Sequence, residues 1–376
     1  MSACLECEPN MLQSAEAQYQ NTHVSARVRG MKSRLFSRER LEDCLAQSDI
    51  RLIIDLLLQS PYAQEMAESL TRFSSVDAVE DALSRNLSRT FRHLLRLTKG
   101  HLERRTSLFL MHWDLVAVKA LIRRRHRPSA SAEEVFTPIG ANLSPEQFDR
   151  LSKEPTMERL IGQLVAWAPE ICSPLLSAFR EYRDTEKLAA LEEALDHAYY
   201  VRLAERFRSS SDPSDQQFAR MLSMYIDLIN LRTLLREKRR YEQRLPEGVV
   251  YDTHCRGLQR RLLPCGTIDG TRLRRLAWTQ DVATALELLA PTPYHALIDG
   301  LYQFVQSGRF STLERILHGL IIADLKKTAR ADGTGFAVLM HYCWLKFNEI
   351  LNLRMIVRGR AAGLPVGRIQ EELLYA

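Results

Sequence analysis

Three stretches of this chain are versions of one helix. "MHWDLVAVKALIRRRHR" (Met111 to Arg127), "MYIDLINLRTLLREKRR" (Met224 to Arg240) and "NEILNLRMIVRGRAAGLP" (Asn348 to Pro365) align position by position. Asp114, Asp227 and Glu349 share one register. A base stands five residues on, at Lys119, Arg232 and Arg354, and another nine on, at Arg123, Arg236 and Arg358. The apolar positions coincide: Leu115, Val118 and Ile122 match Leu228, Leu231 and Leu235, then Ile350, Leu353 and Val357. Asn230 matches Asn352, with Ala117 in the first copy. A second landmark, Glu80, Glu192 and Glu314 inside "VEDAL", "LEEAL" and "LERIL", precedes the acids by 34, 35 and 35 residues. Two landmarks at near-constant separation define an internal repeat.

The acids recur after 113 and then 122 residues. Helical solenoids repeat every 33–47 residues or so, too short a period for this chain. Each unit is therefore expected to be a small helical domain, and three of them suggest pseudo-threefold symmetry. The expected boundaries are 1–128, 129–243 and 244–376. A fourth, poorer echo lies within 20–36: "SARVRGMKSRLF" places Arg27 where Lys119, Arg232 and Arg354 fall. "PIG" (Pro138 to Gly140) and "PCG" (Pro264 to Gly266) read as turns between units.

Glycine and proline number only 30 in 376 residues, roughly two-thirds of average usage, and alternating strand patterns are almost absent. The fold class expected is all-α. No apolar run approaches the roughly 18 residues of a membrane span, and "MSACLECEPN" lacks the basic and apolar regions of a secretory signal. The chain is expected in the cytosol, with any membrane association peripheral. Seven scattered cysteines fit reduced thiols. Cys4 and Cys7 form a C-x-x-C, but a metal site needs two further ligands at regular spacing. A metal or redox enzyme is the weaker of two rival readings.

Projection at 100° per residue sets Glu349 among the apolar residues Leu353 and Ile356, with Arg354 and Asn352 at the edges. A buried carboxylate without a partner costs several kcal/mol, so each acid should meet a base or backbone donors. The base five residues on points about 140° away, so a partner from another helix is expected. Chemistry is normally built once per chain, not three times at equivalent positions. Asp114, Lys119, Asp227, Asn230, Arg232, Glu349, Asn352 and Arg354 are therefore read as structural clips that fix how helices cross.

No phosphate loop, H-E-x-x-H, G-x-S-x-G or EF-hand pattern occurs, so no catalytic residues, cofactor or metal are assigned. The net charge of +6 permits an acidic partner without demanding one. Cations gather at the C-terminal ends of the repeated helices, where the helix dipole favours them. Arg123, Arg124, Arg125, Arg236, Arg239, Arg240, Arg358 and Arg360 are the candidate partner-facing groups. A basic helical nucleic-acid-binding protein is the main rival, but no aromatics are interleaved among these arginines to stack on bases.

"ARVRGMKSRLF" and "NEILNLRMIVRGRAAGLPVGRIQEELLYA" resemble the opening and closing signatures of the central-stalk C-subunit family of V/A-type rotary ATPases, whose eukaryotic vacuolar counterpart is the d subunit. "FTPIGANLSPEQFDRL" and "LLPCGTIDGTRLRRL" are similar to its inter-repeat segments. The likeness runs from about residue 19 to the end. Ser25, where the family usually has Asn, and Ala117 are departures. The resemblance implies three similar helical domains arranged as a pseudo-threefold funnel. It implies a monomer when isolated, present as one copy per complex. Such a chain sits on the cytoplasmic face of the membrane proteolipid ring, receives the central shaft, and passes torque between them with no catalytic residues of its own.

Overall fold

The structure, a computed structural model, describes residues 21–126, 142–243, 251–279, 282–289, 294, 310–332 and 335–375. The chain is all-α: among these residues every regular element is helical and none is a strand. The contacts group the chain into two compact units, one drawn from Met1–Leu164 and Asp324–Ala376, the other Val165–Ala323. In the first unit, residues from both ends of the chain share one core.

In the first unit a helical stretch 21–32 is followed by helices Arg38–Ala46, Ile50–Leu58, Ala63–Leu70, Ser75–Leu97 and Gly100–His126. Pro145–Lys153 comes next, and Phe336–Ala361 and Val366–Gln370 close the chain. Local chemistry sets several of the boundaries. Ser37 caps Arg38–Ala46, and Ser144 starts Pro145–Lys153 with a reciprocal capping box to Gln147. Phe336–Ala361 is in contact with Arg38–Ala46, Ile50–Leu58, Ser75–Leu97, Gly100–His126 and Val366–Gln370. A helix covered on most sides has no broad polar face. That is why its charged residues stand among apolar ones. Trp113 and Trp344 meet at 5.7 Å between ring centroids, with Phe91, Phe109, Phe336 and Phe347 packed round them.

The end of Phe336–Ala361 accounts for the "GLP" of its sequence. Gly363 takes a left-handed φ of 68°. The Leu364 N–H donates to Gly359 O (2.9 Å) and the Gly363 N–H to Arg360 O (3.0 Å), a Schellman closure after which Pro365 cannot continue the helix. Gly359 has its own reason. A Cβ there would lie 2.7 Å from two side-chain carbons of buried Ile369, which seats Val366–Gln370 on the long helix. Gly359→Ala is expected to lower stability by about 1–2 kcal/mol, because Ile369 can shift but only out of its packed position. A urea titration with an unchanged midpoint would exclude that contact as the reason for glycine.

The second unit contains helices Pro174–Thr185, Ala189–Asp196, Arg202–Arg208, Pro213–Gln243, Tyr251–Arg260 and Gly270–Trp278. A π-helical turn, His197–Val201, joins the second and third of these. Asp269 caps Gly270–Trp278 by accepting from the Thr271 and Arg272 amides. Its core gathers Leu228, Leu231, Leu235, Leu258, Ile268, Leu276 and Tyr294.

Candidate functional site, a carboxylate anchor built three times

Asp114 and Asp227 are fully buried and Glu349 is 4% exposed, so each carboxylate must find its donors inside the protein. Asp114 accepts from the amides of Asn142 (3.1 Å) and Leu143 (3.2 Å) and from the Asn142 side chain (2.8 Å). Asp227 accepts from the amides of Thr267 (2.8 Å) and Ile268 (3.3 Å), from the Thr267 hydroxyl, and from Tyr294 Oη (2.7 Å). Glu349 accepts from the Phe36 amide, from Tyr62 Oη and from Lys346 Nζ (2.8 Å).

These donors are equivalent. Leu143, Ile268 and Phe36 each stand immediately before a capping residue, Ser144, Asp269 and Ser37. Amides at a helix start have no partner within their own helix, and the positive end of the helix dipole favours a carboxylate nearby. Each long helix therefore holds the start of a capped helix by its acid. Gly266 makes the second anchor possible: a Cβ there would fall 2.1 Å from Asp227 Oδ1.

The asparagines work beside the acids. Asn230 Oδ1 accepts from the Leu263 amide and its Nδ2 donates to Leu263 O, both at 2.8 Å. Asn352 holds both main-chain groups of Leu374 in the same way (3.0 and 2.9 Å), and Asn348 donates to the same carbonyl. In the second copy one continuous segment, 263–269, serves both Asn230 and Asp227. In the third copy the two ends of the chain share that role, Leu374 meeting Asn352 and Phe36 meeting Glu349. Arg38 lies over the Tyr375 ring at 4.7 Å, which brings the two ends together.

The third anchor is also chemically different. Glu349 takes one backbone amide where each aspartate takes two, and Lys346 supplies what is missing. Met111 and Met224 occupy the matching positions of the other copies. Burial pushes the Lys346 ammonium below its usual range and the Glu349 carboxylate opposes that shift, while burial beside Glu349 pushes the Tyr62 hydroxyl well up. Tyr62 therefore keeps its proton and donates it. For Asp227, burial raises the carboxyl above its ordinary value, and the Thr267 and Tyr294 hydroxyls and the two amides pull the other way.

The bases lie elsewhere than the sequence suggests. Of the two kinds of partner expected, a base or backbone donors from another helix, each acid meets backbone amides at the start of another helix, joined by side-chain donors and, for Glu349, by a lysine of its own helix. Arg354 Nε is 2.9 Å and Arg358 Nε 2.6 Å from the carboxylate of Glu80, and Arg354 also reaches Ser84. Lys119 and Arg232 are half-buried. Arg125 donates to Ser152 O (3.0 Å) and Arg360 to Gln47 O (2.7 Å). Arg123, Arg124 and Arg236 are exposed, Arg239 is half-buried, and the Arg240 side chain lies outside the described residues, as do Cys4 and Cys7. The echo at 20–36 is helical over 21–32 and then turns to deliver Phe36. Tyr62, Tyr294, Thr267, Asn142 and Lys346 do not stand out in the sequence as site residues. Only Lys346 leaves a signal there, as a lone charge three residues before an acid in an apolar run.

Among the described residues no cluster of His, Cys, Asp or Glu could hold a metal ion, and no helix is long and apolar enough to cross a membrane. Fold and site together define an all-helical scaffold whose repeated polar constellation anchors main chain. The chain belongs to the ATP synthase (C/AC39) subunit family, whose model matches residues 24–372. It is similar to the C subunit of the A-type ATP synthase of Methanococcoides burtonii, 28% identical with 94% of this chain and 93% of the relative covered. The corresponding A-type subunit of Haloferax volcanii is 28% identical, with 94% and 97% covered. The C subunit of the V-type ATP synthase of Deinococcus radiodurans is 23% identical, with 94% and 90% covered. Membership makes the chain a structural subunit of this kind rather than a catalytic one.

Proposed function

We propose that this chain is the rotor linker of a V/A-type ATPase. It joins the central shaft to the membrane proteolipid ring and transmits the torque that couples ATP hydrolysis or synthesis to proton or sodium transport. The observation that carries the reading is the anchor built three times on equivalent helices, each fixing a long helix to the start of another through a buried carboxylate. A torque-bearing part must not yield where its elements join, and charge-assisted hydrogen bonds to a buried carboxylate are stiff joints of that kind. The repeats 1–128, 129–243 and 244–376 are read as three similar bodies forming a pseudo-threefold funnel, with the anchors as its clips. One copy is placed per complex, peripheral, at the cytoplasmic face. Exposed Arg123, Arg124 and Arg236 are the basic ends best placed to meet a partner.

The test compares membranes with and without the chain. ATP hydrolysis by the soluble head is expected to persist in its absence, while ATP-driven ion uptake is lost and returns when the purified chain is added back. Normal ATP-driven uptake without the chain would overturn the reading.

A further inference from the structure

A groove in the first unit is lined by cations from two helices and faces a histidine from a third. Arg29 and Lys32 come from the helical stretch 21–32, and Lys326 and Arg330 from Phe310–Asp332. His341, in the second turn of Phe336–Ala361, completes the polar lining, and among the described residues no carboxylate lines the groove. Helical spacing makes this a face and not a coincidence: Val28, Arg29 and Lys32 follow one another at i, i+1 and i+4, and Lys326, Ala329 and Arg330 at i, i+3 and i+4. Ser25 Oγ accepts from the Gly335 amide (2.8 Å), which holds the start of the Phe336–Ala361 helix against the N-terminal stretch.

His341 is only 5% exposed, yet its Nε2 has no hydrogen-bond partner. A buried ring nitrogen left unpaired costs free energy that a ligand with a hydrogen-bonding oxygen would recover. The anchors described above do not use this group. Burial, then Lys32, Lys326 and Arg330, hold the His341 ring down to about 4, and burial with Lys326 and Arg330 lowers Lys32. Lys32, Lys326 and Arg330 kept this close, with no carboxylate among the described lining residues, describe a site in want of an anion. The apolar wall of Val28, Ala329 and Val338 leaves charge on the cationic side only.

We propose that this groove binds a phosphate group, with Lys32, Lys326 and Arg330 as its charge partners and His341 Nε2 as an inner hydrogen-bonding partner. The phosphate can belong to a lipid headgroup or to a free phosphate or pyrophosphate. The proposal stands independently of the rotor reading.

The test uses the purified full chain and four probes: inorganic phosphate, pyrophosphate, phosphatidylcholine vesicles, and the same vesicles carrying phosphatidic acid. Saturable binding of pyrophosphate or phosphate identifies a free anion as sufficient; binding only to the phosphatidic acid vesicles identifies the headgroup. In either case the K326Q/R330Q variant should bind at least about tenfold more weakly, since each charge-assisted bond is worth about that factor. The R274Q/R275Q variant, with the same charge removed from another exposed surface, should bind as the parent does. Both pairs are exposed, and unchanged melting temperatures would verify their folding. The His341 ring, followed by NMR with labelled histidine, should titrate higher with the ligand bound, because the anion offsets Arg29, Lys32, Lys326 and Arg330. No saturable binding to any probe would overturn the proposal. So would equal weakening in the two double variants, or a His341 titration that ignores the ligand.

Discussion

Asp227→Ala is expected to remove about 4 kcal/mol of unfolding stability, read as a lowered urea midpoint at unchanged slope. The side chain is fully buried and accepts from two amides and two hydroxyls. The hydroxyls can turn toward each other, since Thr267 Oγ1 and Tyr294 Oη are already 3.1 Å apart. The Thr267 and Ile268 amides cannot turn, and each buried donor left unmatched costs about 1–3 kcal/mol. A contrary effect must be weighed. Burial raises the Asp227 carboxyl above its ordinary value, so the charge itself is held at some expense. If that effect dominated, Asp227→Asn would stabilise the protein. It should not: the new NH2 would face donors on every side, so a loss of about 2 kcal/mol is expected. A neutral or stabilising Asp227→Asn would mean that the bonds to the 267–268 turn contribute little and that the anchor is not what holds the second unit's helices together.

The fold class and the three acids were legible because helical periodicity and repetition are properties of side chains. Who would meet the acids was not, because the donors are mostly backbone amides, and nearly every residue carries one. The clue lay in the neighbours of "NLS", "TID" and "LFS", where an apolar residue stands before a capping Ser or Asp. Glu80 was visible as a landmark at fixed spacing from Asp114. Its pairing with Arg354 and Arg358, more than two-thirds of the chain away, depends on how the ends of the chain return to one core, which spacing does not encode. The sharing of one anchoring role between Leu374 and Phe36 was hidden for the same reason. Lys346 breaks the repeat, so alignment by resemblance passed over it.

The second large effect concerns that exception. Glu349→Ala is expected to cost about 3 kcal/mol, because it leaves the Lys346 ammonium buried, its side chain 6% exposed, without its ion-pair partner and with Tyr62 Oη as its hydrogen-bond partner. Lys346→Met should be milder, about 2 kcal/mol: methionine already stands at this position in the other two copies, and Glu349 keeps Tyr62 and the Phe36 amide. Made together, the two changes should lose about 2 kcal/mol less than their sum, the sign of a direct pair. The pH dependence separates a stranded charge from a simple cavity. Removing Glu349 removes the largest of the contributions that hold the lysine charged, so its folded pKa falls further below its unfolded value. Between those two values the unfolded chain binds more protons, and stability therefore rises with pH. The deficit of Glu349→Ala relative to the parent should shrink from neutral pH to about pH 9, as the buried lysine gives up its proton. A cavity would give a deficit independent of pH in that range. Strict additivity of the two substitutions, or a pH-independent deficit, would show that Lys346 does not stand in for the backbone amide that the third anchor lacks.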